Sequence, residues 1–476
     1  MFLDSLSRRR FLHSGLLSPV VAQALLDGSE AIGSEANVSG VLGSDVNLSD
    51  HGIEVLFPRN RVPLSFIIDD STCLVNMGHF CTPQFAAAWP ERGEYQKPWQ
   101  QWPREIPDSF VREFGEWCAL KGVRGKYSIV PNPACVGWLD RELPGWSRKQ
   151  LQESLRLVQE LMLPNWDIHP EMITHTRVID LKTGRPVKEI HSGTMENSFP
   201  QEKKSVDELA AYLAYALRIL KQCDLPCEGV TTPGGFGNQV KSELSLAAGQ
   251  AIRDVYQVDL PHYFKYVHTD DQSTEPIIEN LRGAGTLSPQ MTVNVPAGTG
   301  DWFGGWQGDR ISEPDRYANQ DATAGRMVEL IQRRQPAVML CHWPGMYSNG
   351  TKEGFISFKR VVKSLESRFG KETLWMKVSE IARYWAAKSV CMFRGSTKSL
   401  VIECPIQTSM FTIRIKGKTG PVISHGFSAK GDQSIEALRE VKQAQQLEAG
   451  CWMQEGGDVM VCIDLNAPTI ELRLTS

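Results

Sequence analysis

The chain has 476 residues and a formal net charge of −4, so it is long enough for two or three domains and offers no basic field for nucleic acid. Its 11 cysteines are irregularly spaced without a CxxC pair, which argues against a disulfide scaffold and against a structural zinc site. No uninterrupted apolar run is long enough to span a bilayer, so we expect no integral membrane segment in the mature chain.

The N-terminal segment reads SRRRFLH over residues 7–13. The pair Arg8 and Arg9, followed by a short apolar stretch, resembles a twin-arginine export signal. We therefore predict a signal segment over residues 1–30, recognition by the twin-arginine export machinery and a periplasmic or extracellular location. A basic amphipathic N-terminus with no targeting role is the alternative. Residues 31–55 are rich in Gly, Ser, Asn and Asp and are predicted to form a flexible linker.

Residues 56–387 alternate between strand-like and helix-like patterns. Strands are predicted at 64–72, 122–131, 166–175, 228–232, 255–260, 291–295 and 337–341, and helices at 108–121, 147–162, 205–222 and 354–369. Residues 80–107 are interpreted as an irregular insertion. The alternation implies parallel βαβ units, so the predicted fold class is α/β, a distorted (β/α) barrel.

The pattern changes after Ala387. Short runs such as SLVIEC, MFTIRIKG and DVMVCIDL alternate apolar and polar residues between turns. Such alternation is typical of antiparallel sheets, and residues 388–476 are predicted to form a small all-β sandwich domain.

Four predicted strands end in residues suited to chemistry. The carboxyl ends of parallel barrel strands meet at one mouth, where active sites lie. The polar and aromatic residues at these ends are Asp69, Asp70, His169, Glu171, His175, Asp301, Trp302, His342 and Trp343.

These strand ends, in this order, resemble the polysaccharide deacetylase (NodB-type) family of distorted barrels. In that family two adjacent aspartates serve as catalytic base and metal ligand, which Asp69 and Asp70 match. A later H-x-x-x-H pair supplies metal ligands, and His175-Thr176 resembles its opening. An Asp beside Trp and a final Leu-x-His motif correspond to Asp301-Trp302 and Leu340-Cys341-His342.

The resemblance implies a role for each matched residue. Asp69, Asp301 and His342 are expected to be catalytic, with His342 as general acid. A divalent metal ion, zinc or similar, is expected on Asp70, His175 and a third ligand. Ile179 stands where the family has its second histidine, so Asp180 or His191 is the candidate for the third metal ligand. The chain also departs from the family on the next strand, where Thr232-Pro233-Gly234-Gly235 replaces the family's arginine before a proline. Expected substrate contacts are Trp302, Trp343 and His169.

The leading functional hypothesis is an exported carbohydrate-active hydrolase that removes acetyl or related acyl groups from a polysaccharide. One alternative is a glycosidase that uses Asp69 or Asp70 together with Asp301. The other is a catalytically degenerate glycan-binding protein, for which the absence of a histidine at Ile179 is the main support.

Overall fold

The computed structural model describes residues 52–395, 398–427 and 433–474. The predicted signal segment at 1–30 and residues 31–51 of the predicted linker lie outside these ranges. Within them, no helix combines the length and apolarity needed to cross a membrane.

The first part of the described chain alternates strands and helices. In chain order these are β1 (Ile53–Val55), β2 (Val62–Asp69), α1 (Met77–Ala88), α2 (Asp108–Lys121), β3 (Gly125–Ile129), α3 (Arg148–Leu157), β4 (Trp166–Pro170), β5 (Ile179–Asp180), β6 (Arg185–Pro186), α4 (Val206–Gln222), β7 (Gly229–Thr231), α5 (Lys241–Tyr256), β8 (His262–Phe264), β9 (Ile277–Arg282), β10 (Gln290–Asn294), α6 (Arg326–Gln332), β11 (Ala337–His342), α7 (Trp343–Tyr347), α8 (Glu353–Phe369), β12 (Thr373–Trp375) and α9 (Val378–Val390).

The second part consists almost entirely of strands. They are β13 (Met392–Gly395), β14 (Ser399–Glu403), β15 (Thr408–Ile415), β16 (Val422–Phe427), β17 (Gln433–Ala437), β18 (Arg439–Glu440), β19 (Cys451–Glu455), β20 (Asp458–Leu465) and β21 (Thr469–Leu474).

Two parallel sheets are joined into a ring. One has the order β11-β2-β3-β4, and the other contains β7-β8-β10 with β9 antiparallel at its edge. A parallel bridge between Glu171 and Thr231 joins β4 to β7. On the other side, the Gly298 amide donates to the Val338 carbonyl oxygen at 2.8 Å. This mixed α/β arrangement is consistent with the predicted barrel.

The central strand β2 is buried along its whole length. Its apolar run therefore meets side chains on both faces, as the unbroken apolar pattern predicts for a parallel sheet. The parallel register places His342 of β11 directly beside Asp69 at the end of β2. Both side chains therefore reach the same mouth of the ring.

Two local predictions were wrong. Part of the predicted irregular insertion is the helix α1, which packs the fully buried Phe85 against other aromatic rings. Of the predicted strand at 255–260, the first two residues are the end of α5 and the rest connects α5 to the strand β8. Burial of one helix face overrides weak local propensity in both places.

The strand-rich C-terminal part forms two five-stranded sheets, with orders β1-β15-β20-β19-β18 and β13-β14-β21-β16-β17. Residues 53–55, at the end of the predicted linker, form β1 and pair antiparallel with β15. The Tyr384 hydroxyl of α9 donates to the Leu56 carbonyl and accepts from the Thr412 amide. The sheets are thus attached to the barrel by buried polar contacts, and the boundary at residue 388 stays a prediction.

Candidate active site

A pocket of about 350 Å³ opens at the carboxyl ends of the barrel strands. Five of the residues that line it come from the predicted strand ends: Asp69, Glu171, His175, Asp301 and His342. An aromatic and cationic group also lines it: Trp89, Arg92, Tyr95, Trp306 and Arg310. These five strand-end residues therefore share a pocket with residues from the loops.

Asp70, Glu171 and His175 form a buried cluster, each only 1 % exposed. The His175 Nε2 atom lies 2.8 Å from Asp70 Oδ1 and 3.2 Å from Glu171 Oε1. One potential ligand atom from each residue lies within 4.8 Å of the others. We call these three residues the ligand cluster.

The loop that carries Glu171 and His175 is held by Glu196. Its carboxylate accepts hydrogen bonds from the amides of Ile173, Thr174 and His175, at 3.1, 3.0 and 2.6 Å. The Tyr212 hydroxyl donates to the same carboxylate at 2.6 Å. Burial raises the pKa of Glu196 to about 7, although these four donors favour the charged form. Glu196 therefore sets the path of the ligand loop from within the core.

Two members of the ligand cluster have an uncommon backbone conformation. Asp70 has φ 59° and His175 has φ 63°, in the left-handed region that costs a non-glycine residue on the order of 1–3 kcal/mol. The Asp70 amide donates to Glu171 Oε2 at 2.7 Å, which ties the end of β2 to the ligand loop. Such strain is typical of functional positions.

The charges of the ligand cluster compensate one another only in part. Burial alone would lower the pKa of His175, but Asp70 and Glu171 raise it well above its ordinary value. Burial alone would raise the pKa of Glu171, but the His175 charge lowers it overall. An imidazolium thus offsets one of the two buried carboxylate charges, whereas a divalent cation would offset both, with release of the imidazole proton.

The donor set fits such an ion. Two carboxylates and one imidazole are ligands of zinc and of other first-row divalent metals. Three protein ligands leave coordination positions for water and substrate. Asp70, Glu171 and His175 are therefore the residues that would hold the metal.

Asp69 lies next to this cluster in the sequence but has different partners. Lys126 Nζ is 2.5 Å from Asp69 Oδ1, and both side chains are almost completely buried. Ser128 Oγ donates to the same carboxylate oxygen at 3.2 Å and accepts from Lys126 at 2.7 Å. The ammonium group balances the Asp69 carboxylate inside the barrel.

His342 and Asp301 form the third group. His342 Nδ1 lies 2.7 Å from Asp301 Oδ2, and the Phe303 amide donates to the other Asp301 oxygen at 3.1 Å. Burial alone would lower the pKa of His342, but the hydrogen bond to Asp301 and the charges of Asp70, Asp301 and Asp69 raise it. Because Nδ1 is engaged, Nε2 is the nitrogen available to a substrate.

The prediction of Asp180 as third metal ligand is not supported by its position. Asp180 is exposed at the turn between β5 and β6, where it accepts from the Lys182 amide and the Thr183 hydroxyl. His191 is also exposed and accepts from the Gly193 amide. Glu171 takes the third place in the ligand cluster because its loop turns inward over Glu196.

The three predicted substrate contacts lie elsewhere. His169 is buried against His262, with 2.8 Å between the two Nε2 atoms. Trp343 is buried and packs on Phe110 and Tyr127. Trp302 stacks beneath the Arg316 guanidinium, 4.4 Å from the ring centroid. None of the three belongs to the described residues that line the pocket.

Two functional candidates escaped the sequence interpretation. Glu171 was placed among the strand-end residues but given no role, although Glu171-x-x-x-His175 keeps the four-residue spacing of the H-x-x-x-H motif. Lys126 carries a charge inside the apolar strand GKYSI, where both neighbours are buried. A lysine in a two-sided buried strand needs an acidic partner, which the structure shows to be Asp69.

The comparisons with known proteins give structural likeness only. No family model and no curated protein matches the chain. A Mycobacterium smegmatis protein assigned as a polysaccharide deacetylase matches with 10% identity over 72% of this chain and 96% of that chain, at a TM-score of 0.40. A Parabacteroides distasonis protein assigned as a glycoside hydrolase/deacetylase matches with 12% identity over 76% and 82%, at 0.38.

A Thermotoga maritima α-fucosidase in complex with fucose also matches, with 11% identity over 88% of this chain and 96% of that chain, at a TM-score of 0.30. The matched structures thus include the family whose motifs the sequence resembles. Since all these TM-scores are low, the function proposed below rests on the geometry of the pocket.

Proposed function

We propose that the protein is a metal-dependent carbohydrate hydrolase that removes acetyl or related acyl groups from a polysaccharide. The observation that carries this proposal is the convergence in one pocket of a three-residue ligand cluster, a buried carboxylate and a histidine–aspartate pair. Metal-assisted acyl hydrolysis needs these three parts: ligands, a base and an acid.

The residues of the chain divide the proton transfers between them. Asp69, held by Lys126 and Ser128, accepts a proton from the attacking water. His342, charged and oriented by Asp301, donates a proton to the leaving sugar oxygen or nitrogen. A divalent ion on Asp70, Glu171 and His175 would lower the pKa of a bound water and polarise the acyl carbonyl.

The aromatic wall of the pocket suits a sugar. The Tyr95 ring centroid lies 5.7 Å from that of Trp89 and 5.9 Å from that of Trp306. Aromatic faces bind the apolar faces of sugar rings while polar groups orient the hydroxyls. The polar groups here include Asn197, Asn238 and Gln239.

The two alternative functions have less support. A glycosidase needs two carboxylates placed across the scissile bond, whereas the Asp301 carboxylate is bound to His342. The degenerate binding protein drew its support from the missing ligand at Ile179, and Glu171 supplies a ligand instead.

The motif at residues 7–13 supports export as a further part of the proposal. Replacement of Arg8 and Arg9 by lysine in a secretion assay would test this part.

Acetate release tests the main proposal. Purified protein is loaded with zinc, or another first-row divalent metal, and supplied with a panel of O- and N-acetylated oligosaccharides. We expect acetate release that stops on chelation, returns on reloading and is abolished in Glu171→Gln. The matched variant Asp180→Asn, also neutralised but exposed, should behave as wild type. Release that continues in the chelated protein would refute metal dependence, and cleavage of the glycan chain without acetate would favour a glycosidase.

A further inference from the structure

Two cysteines lie opposite each other where the barrel meets the C-terminal sheets. Strands β13 and β14 pair antiparallel, and their ladder reaches as far as Met392 opposite Glu403. One further step along this ladder places Cys391, at the C-terminal end of α9, opposite Cys404. Cys404 belongs to the hydrophobic core and Cys391 packs against it. Since opposite residues of paired strands project from the same face of a sheet, the two thiols face each other.

The main-chain hydrogen bonds show which kind of cross-strand pair this is. The Cys391 amide donates to the Ala387 carbonyl of α9 at 2.9 Å, and the Cys404 amide donates to the Pro468 carbonyl at 2.9 Å. The two cysteines therefore exchange no main-chain hydrogen bonds with each other. Antiparallel pairs of this kind have Cα atoms about 4.5 Å apart. A disulfide needs a Cα–Cα distance of roughly 4.4–6.8 Å, so this pair suits a disulfide without movement of the backbone.

The side chains of the two cysteines also converge. Cys404 Sγ lies 3.9 Å from the Ala387 carbonyl oxygen, the same atom that accepts from the Cys391 amide. A hydrogen bond from the Cys391 thiol lowers the pKa of the Cys404 thiol, and the same contact raises the pKa of Cys391. Cys404 is only 2 % exposed, whereas Cys391 is partly exposed. A reagent in solution can therefore reach the pair through Cys391.

We infer that Cys391 and Cys404 are a disulfide-forming pair that fastens the end of β14 to the end of α9. The oxidant is the disulfide of a small thiol or of a thiol oxidoreductase. The Cys391 thiolate attacks one sulfur of this disulfide, forms a mixed disulfide and releases the first thiol. The Cys404 thiolate then attacks the Cys391 sulfur and releases the second thiol. The protein thus loses two hydrogens, and the oxidant is reduced to two thiols.

The inference does not depend on the proposed reaction. The spacing of the cysteines in the sequence does not single out this pair, whereas the strand register does. Disulfides persist in oxidising compartments, and the proposed export would bring the protein into one. The bond would then join the barrel to the C-terminal sheets covalently, in addition to the buried polar contacts of Tyr384.

Mapping of the oxidised protein tests the inference. The purified protein is reduced, transferred into oxidised glutathione without denaturant, and then unfolded and alkylated. We expect all but two of the 11 cysteines to be alkylated, and the peptides that contain Cys391 and Cys404 to be linked. Three results would overturn the inference: alkylation of every thiol, a stable glutathione adduct on Cys391, or a bond between other cysteines in place of this one.

Cys451→Ser is the matched control. Cys451 also has a cysteine directly opposite it, Cys462 on β20, but both of these side chains are buried and closed to the oxidant. Cys451→Ser should therefore keep the bond between Cys391 and Cys404. In Cys391→Ser the bond should be absent. Loss of the Cys391–Cys404 bond in Cys451→Ser would mean that these two cysteines are not an independent pair.

The fastening role has a separate measurement, the midpoint of thermal unfolding. A disulfide that closes a loop of this length should raise the midpoint of the oxidised protein above that of the reduced protein by on the order of 5 °C. Cys391→Ser should melt at the same temperature with and without oxidant. A protein that contains the bond but melts at the midpoint of the reduced form would overturn the fastening role. Neither measurement uses acetate release, so failure here and failure of the proposed function are distinguishable.

Discussion

The two halves of the candidate site are built differently. The acid–base half, Asp69 and His342, sits at the ends of adjacent paired strands, in register with each other. The ligand cluster takes two of its three residues from a loop, and that loop follows the Glu196 carboxylate. Strand register determines the positions of Asp69 and His342. The buried Glu196 side chain, more than twenty residues along the chain from the loop, determines the position of the ligand loop.

This difference predicts different responses to substitution. A side chain on a paired strand keeps its position when it is substituted by one of the same shape. Such variants should therefore have a lower kcat and an unchanged metal affinity. A group on the ligand loop depends on the backbone path, so even residues that touch no metal should affect metal affinity. The following variants separate the two kinds of response, from the largest expected effect to the smallest.

Asp69→Asn should have the largest effect. The amide has the same shape but is not a base, so kcat for acetate release should fall by about 10²–10⁴-fold. Because Asp69 belongs to the strand-borne half, metal affinity measured by competition with a chelating dye should stay at the wild-type value. Loss of the metal together with activity would show that the two halves are not independent. Thermal melting of the variant checks that the unpaired Lys126 has not unfolded the barrel.

Glu171→Gln should lower metal affinity by about 100-fold or more, since removal even of an outer partner costs 10–100-fold. Asp180→Asn is the matched control, because it neutralises the exposed carboxylate that the sequence suggested as ligand. It should leave metal affinity unchanged. If Asp180→Asn reduces affinity and Glu171→Gln does not, the ligand cluster is assigned to the wrong residues.

The same division explains how much the sequence predicted. Asp69, Asp70, Asp301 and His342 follow apolar strands, and the change from apolar to polar residues marks these strand ends in the sequence. The helix predicted at 205–222 is likewise present as α4, which starts at a capping box formed by Ser205 and Glu208. Local patterns determine these features, so they could be predicted without a structure.

The misassigned residues depend on distant contacts. Glu171 points inward because Glu196 binds the amides of its loop, and nothing near Glu171 in the sequence indicates this. Trp343 follows a catalytic strand end but fills the core against Phe110, because α7 turns away from the pocket. Arg92 and Trp306 come from loops whose paths no periodicity predicts.

Glu196→Gln tests the loop-borne half through a residue outside the ligand cluster. The amide has one acceptor oxygen for the four donors that surround the carboxylate, so the ligand loop should loosen. We expect metal affinity to fall about 10-fold. Glu202→Gln, the same change at an exposed position nearby, should have no effect. Unchanged metal affinity in Glu196→Gln would mean that the ligand loop keeps its path without the hydrogen bonds to the Glu196 carboxylate.

Asp301→Asn should give the smallest change, a shift in the pH profile. His342 must be protonated to act as general acid, and Asp301 is one of the groups that raise its pKa above the ordinary value. Activity should therefore be lost as the pH rises through this raised pKa, which sets the alkaline limb of kcat. Without the Asp301 charge the pKa of His342 falls, and the limb should move to lower pH.

Asp315→Asn is the control, because it removes an exposed carboxylate that pairs with Arg360. It should leave the alkaline limb of the kcat profile at the wild-type pH. If Asp301→Asn lowers kcat equally at every pH, Asp301 orients the imidazole without setting its charge. A shift of the limb with metal affinity unchanged would place Asp301 and His342 in the strand-borne half. A shift accompanied by loss of the metal would instead mean that the two halves are coupled through the charges that Asp70 and Asp301 both exert on His342.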